Sequence, residues 1–185
     1  MSQKFLTLNK EKSFQEIIDY LNDYKVDLAN KCNEFVSRLI DYGIEIAKDN
    51  VGEYGEYIVF RKELDRTDDG VEGMLIATNG RKLVREWYTD KATTNKRSYE
   101  VSPLLLAEFG SGWLARVYGN VQGVGQGTMP NAYGHAFDES GWWWYDESGE
   151  KHHSVGEAPT YPMHTAMLAM MFEIDKIGKE VFGNG

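Results

Sequence analysis

Apolar residues recur at Phe14, Ile17, Ile18, Leu21, Leu28, Cys32, Phe35, Leu39 and Ile46. That three- and four-residue spacing is a helix period with one buried stripe. Ser13-Phe14-Gln15-Glu16 has the form of a capping box, the serine hydroxyl accepting from the Glu16 amide while the Glu16 side chain reaches back. Polar Asn22-Asp23 interrupts the stripe, so the pattern predicts either one helix over about 13–49 or a short helix followed by a longer one. Unbroken, the helix would run roughly 55 Å at ~1.5 Å per residue, more than a compact domain of this size needs. A helix that projects past its own sheet calls for a neighbour; a kinked one folds back along that sheet.

From Tyr54 the pattern changes to short β-rich runs. Glu56 to Leu64 ends near the turn Asp68-Asp69-Gly70, and Val71 to Thr78 and Arg81 to Trp87 flank Asn79-Gly80, a type I′ hairpin signal. Thr89 to Arg97 is polar and reads as a mobile loop. Ser98 to Phe109 reads as a fourth strand, with Pro103 marking an edge or a bulge because it cannot donate to a ladder. Gly110 to Gly141 is glycine-rich and aperiodic, the character of a loop that is functional, disordered or ordered by a partner. Gly141 to Ser154 predicts a second, aromatic hairpin turning through Asp146-Glu147-Ser148-Gly149. A closing helix from Pro162 carries one stripe, Met163, Ala166, Met167, Met170, Ile174, Ile177, Val181 and Phe182. The expected class is α+β: a long N-terminal helix, an antiparallel β-meander of about four strands plus an aromatic hairpin, and a C-terminal helix packed on the sheet.

With 185 residues the chain fits a single domain spanning 1–185. One cysteine, Cys32, rules out an intrachain disulfide framework, and its helical spacing predicts a small buried hydrophobe. The start has no apolar segment long enough for a signal peptide, and Ala166 to Phe172 falls far short of a membrane span. The expectation is a soluble chain, cytoplasmic when made. The net charge of −9 is concentrated toward the C-terminus, where residues 101–185 hold 4 Lys+Arg against 10 Asp+Glu. So acidic a surface disfavours tight or sequence-specific nucleic-acid binding, which needs cations to displace counterions. It is compatible with a passage along which DNA slides without sticking.

Candidate chemistry is sparse. His152 and His153 are adjacent on a strand and point to opposite faces, while His135 and His164 stand apart, so no metal-ligand spacing emerges. Gly123-Val124-Gly125-Gln126-Gly127-Thr128 lacks the lysine of a phosphate-binding loop. Asp138, Glu139, Asp146, Glu147 and Glu150 lie beside turn residues, where carboxylates are solvated and nothing raises a pKa. Gly110-Ser111-Gly112 lacks the spacing of a nucleophile elbow. No catalytic, cofactor-binding or metal-binding residue is expected, and no cofactor.

Trp142-Trp143-Trp144-Tyr145 carries more information. Side chains alternate, so Trp142 and Trp144 share one face and Trp143 and Tyr145 the other. One pair can fill a core. The other either forms a contact surface, as aromatics at interface hot spots do, or is covered by the closing helix or the glycine-rich loop.

The Leu104–Gly112 run closes in Glu108-Phe109-Gly110-Ser111-Gly112. A glycine-rich segment, the aromatic strand and Ala158-Pro159-Thr160-Tyr161-Pro162-Met163 follow it. In this order, behind a long N-terminal helix, these elements resemble the tail-completion (head–tail joining, or neck) proteins of long-tailed bacteriophages, over about Ser13 to Phe182. The resemblance implies a non-enzymatic virion protein that assembles in the host cytoplasm. It would form a homo-oligomeric ring, touch the connector, tail terminator and tail tube, and let DNA through without reading it. It makes Glu108, Gly110 and Gly112 the corner of a closing strand, places Pro162 in the first helical turn, and packs Ala166 close against the sheet. Ser111 stands where members of the family often carry threonine. Phe109, Trp113 and Trp142–Tyr145 become the expected interface residues, and the free subunit is expected to stay unassembled until partners arrive. An alternative comes from Gly141–Gly149, which looks like one repeat of a choline- or glucan-binding module whose aromatics stack on cell-wall carbohydrate. Such modules work as tandem copies, and there is one copy here.

Overall fold

The computed structural model describes residues 12–67, 70–118 and 139–183. Helix α1 (Lys12–Asp49) is a single unbroken element, so Asn22-Asp23 is tolerated on its polar side. It begins one residue ahead of the expected capping serine, whose side chain lies outside the described residues. At its far end the Asn50 side chain donates to the Ile46 carbonyl at 2.8 Å.

A 3-10 turn (Gly52–Tyr54) leads into the hairpin β1 (Ile58–Thr67) and β2 (Gly70–Asn79), paired from Ile58 with Asn79 to Thr67 with Gly70. Its inner face lies on the second half of α1, where Lys62 Nζ reaches Asp41 at 2.6 Å and Ser37 at 2.8 Å. Gly73 leaves room there for Val36 and Ile40.

A second sheet contains β3 (Leu83–Tyr88), β4 (Lys96–Val101), β5 (Trp142–Tyr145) and β6 (Lys151–Ser154), in the order β4-β3-β5-β6. The Asn79-Gly80 hairpin does not form, because β2 and β3 belong to different sheets. Asn79 instead donates to the Ser102 hydroxyl and accepts from the Leu104 N–H, while the Gly80 N–H bonds the Tyr57 carbonyl. Neither residue takes the positive φ that a type I′ turn demands.

Thr89–Arg97 is also more ordered than its polarity suggests. The Asp90 carboxylate accepts from the backbone N–H groups of Thr94 and Asn95, and β4 has begun by Lys96.

The expected strand at Ser98–Phe109 stops at Val101. Leu104 to Phe109 belongs to helix α2 (Pro103–Phe109). Ser102 is its N-cap, accepting from the Leu105 N–H at 3.3 Å, and Pro103 occupies the first turn, where its missing N–H costs nothing. Leucine and alanine favour helix, and the run contains no β-branched residue. Glu108 and Phe109 therefore sit on a helix end and not at the close of a strand.

The expected loop from Gly110 is structured at its start. Helix α3 (Gly112–Tyr118) starts at a bridge that sets Ser111 against Glu157 and Gly112 against Gly156, and Gly156 and Glu157 form the short strand β7 (Gly156–Glu157). Residues 119–138, with His135, Asp138 and the Gly123–Thr128 run, lie outside the described residues.

Helix α4 (Pro162–Phe182) closes the fold. Its principal partner is α1 and not a sheet: Phe182 meets Phe35 with ring centroids 5.8 Å apart, Arg38 pairs with Glu180, and Met170 lies over Gly43. The two helices thus run antiparallel, and Met170 of α4 and Leu75 of β2 converge beside Gly43 of α1. The α+β class stands, with the closing helix packed chiefly on α1. Beneath the junction, Val51, Tyr54, Ile58, Val101, Leu106 and Ala107 form one buried cluster.

Candidate functional site: the corner, the aromatic hairpin and the projecting helix

Two of the segments on which the resemblance rests, Leu104–Gly112 and Ala158–Met163, meet at one junction. The Ala107 carbonyl accepts from the N–H groups of Thr160 and Tyr161 at 2.8 and 3.1 Å. Tyr161, the N-cap of α4, has a left-handed backbone (φ +55°) and makes no side-chain cap of its own. Glu108 supplies one from α2. Its Oε2 accepts from the Met163 N–H at 2.9 Å and its Oε1 from the His164 N–H at 3.1 Å. A carboxylate there satisfies two otherwise orphan donors and faces the positive end of the helix dipole.

Gly110 ends α2 with φ +68°, and a Cβ on it would collide with the Glu157 carbonyl and sit 2.9 Å from the Pro159 ring. Gly156 is held as tightly from the other side, against the Ser111 carbonyl. Two backbones touch here, which is the physical reason for glycine at both. Pro162 and Ala166 are buried just beyond, in the first turns of α4. Ser111 is buried, and its hydroxyl has no hydrogen-bond partner among the described residues.

Behind the corner, Glu157 accepts from both the Tyr54 hydroxyl and the Arg85 guanidinium, and Arg85 also reaches the Tyr54 oxygen at 3.0 Å. Burial pushes the Tyr54 pKa up, and its hydrogen bond to the Glu157 carboxylate pushes the same way. Arg85 is drawn down by burial, but the Glu157 carboxylate outweighs that and its pKa is raised. The cluster ties the 3-10 turn, β3 and β7 together. Sequence spacing gave no sign of it, since the three residues lie 31 and 72 positions apart.

The aromatic hairpin forms as expected, with Trp142 opposite Ser154 and Tyr145 opposite Lys151, and it joins β3 through Tyr88 and Tyr145. The two faces do not split into a buried pair and an exposed pair. Trp142, Trp144 and Tyr145 are all half-buried and only Trp143 is exposed, at 59%. Trp144 stacks on His152 at 4.4 Å, while Trp143 lies against His153 with the Lys151 ammonium 4.4 Å over its ring. Cross-strand histidines thus pack against the tryptophans on both faces of the strand. Phe109 and Trp113, at the end of α2 and in α3, are likewise half-buried, as is Cys32.

At the hairpin turn, ligand atoms of Asp146, Glu150 and His152 lie within 4.8 Å of one another, a grouping not anticipated from spacing. The Asp146 carboxylate is already engaged by the Ser148 hydroxyl and amide, the Glu150 amide and His152 Nε2. The Ser148 hydroxyl and then His152 hold its pKa below the usual carboxylate range. Its donors are those of a turn.

The most exposed apolar surface lies elsewhere. Residues 14–30 of α1 are almost wholly uncovered, although the same stripe is buried further along the helix. The outer face of α4 exposes Leu168, Met171 and Phe172, the last at 84%. Among the described residues no helix is long and apolar enough to cross a membrane. No protein-family model, curated protein or solved structure matches the chain.

Proposed function

We propose that this chain is a structural protein of a long-tailed phage virion, a tail-completion protein joining the head connector to the tail tube. The observation that carries the reading is the junction of Glu108, Gly110 and Gly112 with Gly156 and the Pro162 turn. The corner residues and the entry to the closing helix are bonded to one another, which supports reading them as one architectural device. Their place on a helix end, and not at the close of a strand, is a departure from the expected pattern. The long helix with an uncovered outer half supports the same reading, because a subunit of an assembly carries surface meant for neighbours. On this reading the protein has no catalytic centre, forms a ring with further copies, and contacts connector, tail terminator and tail tube while DNA passes. It resides in the virion neck after assembling in the host cytoplasm.

The test is removal of the chain from a producing phage. Filled heads and finished tails that fail to join support the role; normal infectious particles overturn it.

Exposed Trp143 beneath Lys151 favours a second reading, a carbohydrate-stacking surface. Retention of the purified protein on bacterial cell wall, lost in Trp143→Ala, would promote it.

A further inference from the structure

The four-stranded sheet ends at β4, which pairs with β3 on one side and forms the sheet's edge on the other. All six residues, Lys96–Val101, pair with β3 in unbroken register, from Lys96 opposite Tyr88 to Val101 opposite Leu83. No bulge, glycine or proline interrupts the strand. Lys96, Arg97, Ser98 and Glu100 are exposed, and among the described residues no loop or turn forms a backbone bond to these four. Such an edge presents a row of backbone donors and acceptors to any strand that fits it. Side chains alternate, so Lys96, Ser98 and Glu100 share the face opposite to that of buried Val101. Charge of one sign along an edge repels another strand. Here a cation and an anion stand two residues to either side of Ser98.

We infer that β4 is a self-pairing edge: two copies of this chain join their β4 strands antiparallel about a twofold axis at Ser98. Residues directly opposite in an antiparallel pair share a face, so a twofold pair centres on a residue and not between two. Centred on Ser98, Lys96 of each copy faces Glu100 of the other, and Arg97 faces the ring of Tyr99. Centred on Arg97, the pair would set two arginines against each other. Centred on Tyr99, it would leave Lys96 and Glu100 without opposite charges. The order of charges along the strand therefore selects both the occupant, a second copy, and the register. Lys96 already pairs with Glu86 at 2.7 Å, and Glu100 with Lys82 at 2.8 Å. Joining two copies extends these pairs into a row of four alternating charges: Glu86 and Lys96 of one, Glu100 and Lys82 of the other. A strand pair of this length is smaller than a standard interface of about 800 Å² per partner, so the dimer is weak and populated at high micromolar concentration. A twofold contact closes after two copies and does not extend into a ring, so the inference stands apart from the assembly role proposed above.

Sedimentation equilibrium of the full chain, carried to high micromolar concentration, measures the dimer, and cysteine cross-linking measures its register. With Cys32→Ser removing the native thiol, Ser98→Cys sets two thiols opposite each other. Their Cα atoms would lie roughly 4.5–5.5 Å apart, within disulfide reach. Under mild oxidation Ser98→Cys chains should cross-link to dimers at least tenfold faster than Val84→Cys chains, because Val84 is also exposed but lies on the inner strand β3. Lys96→Glu and Glu100→Lys alone each set like charges together at both ends of the pair, and should weaken association at least tenfold. Mixed in equal amounts, the two variants face each other with opposite charges throughout and should recover association to within threefold of the original. All these edge positions are exposed, and unchanged circular-dichroism melts will confirm that the variants fold. A chain that stays monomeric at every concentration, Ser98→Cys chains that cross-link no faster than Val84→Cys, or a mixture no better than its components would each overturn the inference. Larger assemblies that leave Ser98→Cys uncross-linked overturn it as well. The assembly reading is scored separately, by head–tail joining.

Discussion

Glu108 caps the closing helix from 55 residues before Met163, whose backbone N–H its carboxylate accepts at 2.9 Å. With the second bond to His164 the carboxylate stands in for the side-chain cap that Tyr161 lacks. Glu108→Ala should lower unfolding free energy by about 2 kcal/mol, the upper end of a lost cap, because two amides lose their acceptor. Glu108→Gln retains one acceptor oxygen and should cost less than half as much. Urea unfolding of the two variants checks the order.

Gly110 and its neighbour Ser111 should respond in opposite ways. Gly110→Ala forces a side chain into a left-handed backbone and against the Glu157 carbonyl, and should cost about 3 kcal/mol or prevent folding. Ser111→Ala removes a buried hydroxyl without a partner among the described residues, and should leave stability unchanged or raise it by up to ~1 kcal/mol. Paired thermal melts decide the matter. A large loss at Ser111 would mean its hydroxyl is bonded.

The corner also shows where sequence reading ended. Both terminal helices were legible from a one-sided 3.6-residue stripe over many turns, while Asn22-Asp23 left open whether the first was continuous. The aromatic hairpin was legible from the turn residues Asp146–Gly149 directly after the Trp142–Tyr145 run. Leu104–Phe109 misleads because its apolar run, Leu104–Ala107, is too short to have a period that distinguishes strand from helix. The deciding feature, Ser102-Pro103 as cap and first turn, is local and easily read as a strand edge. Asn79-Gly80 misleads for a different reason: its side chain is committed to Ser102 and the Leu104 amide, a long-range demand that no dipeptide signal contains. The importance of Glu108, Gly110 and Pro162 came from the resemblance, while the bonds that make them important are tertiary.

Tyr54 gives the fold an alkaline limit. The unfolded chain releases a tyrosine proton near pH 10, whereas the buried hydroxyl on Glu157 holds its proton to higher pH. This stabilising contribution is complete below pH 10 and declines above it, by at most about 1.4 kcal/mol per pH unit. Tyr54→Phe should be less stable by about 2 kcal/mol at pH 8 and show a shallower loss between pH 10 and 11.5. Melting temperatures across that range, with tyrosinate absorbance followed in parallel, provide the measurement.

Trp143 and Trp144 separate folding from contact. Trp144 is half-buried and stacked on His152, so Trp144→Ala should cost about 2 kcal/mol. Exposed Trp143 should cost under ~1 kcal/mol when replaced by alanine, limited to its contacts with Lys151 and His153. If the strand contacts a virion partner, Trp143→Ala particles should yield heads and tails that do not join. Equal loss of stability in both variants would place Trp143 in the fold and not at a surface.

Helix α1 is gripped along its C-terminal half and bare along its N-terminal half. Gly43, in the clamped part, lies where a Cβ would come within 2.5 Å of Met170 Sδ and 2.9 Å of a Leu75 methyl, so α4 and the hairpin close on the helix backbone itself. Phe14 lies 29 residues from that fulcrum, roughly 44 Å along the axis at ~1.5 Å per residue. A tilt of about 5° at the clamp would swing the tip by roughly 4 Å, enough to break a hydrogen bond or shift a side chain to the next groove. The aim of the free end is therefore set deep inside the subunit, by a side chain that is not there.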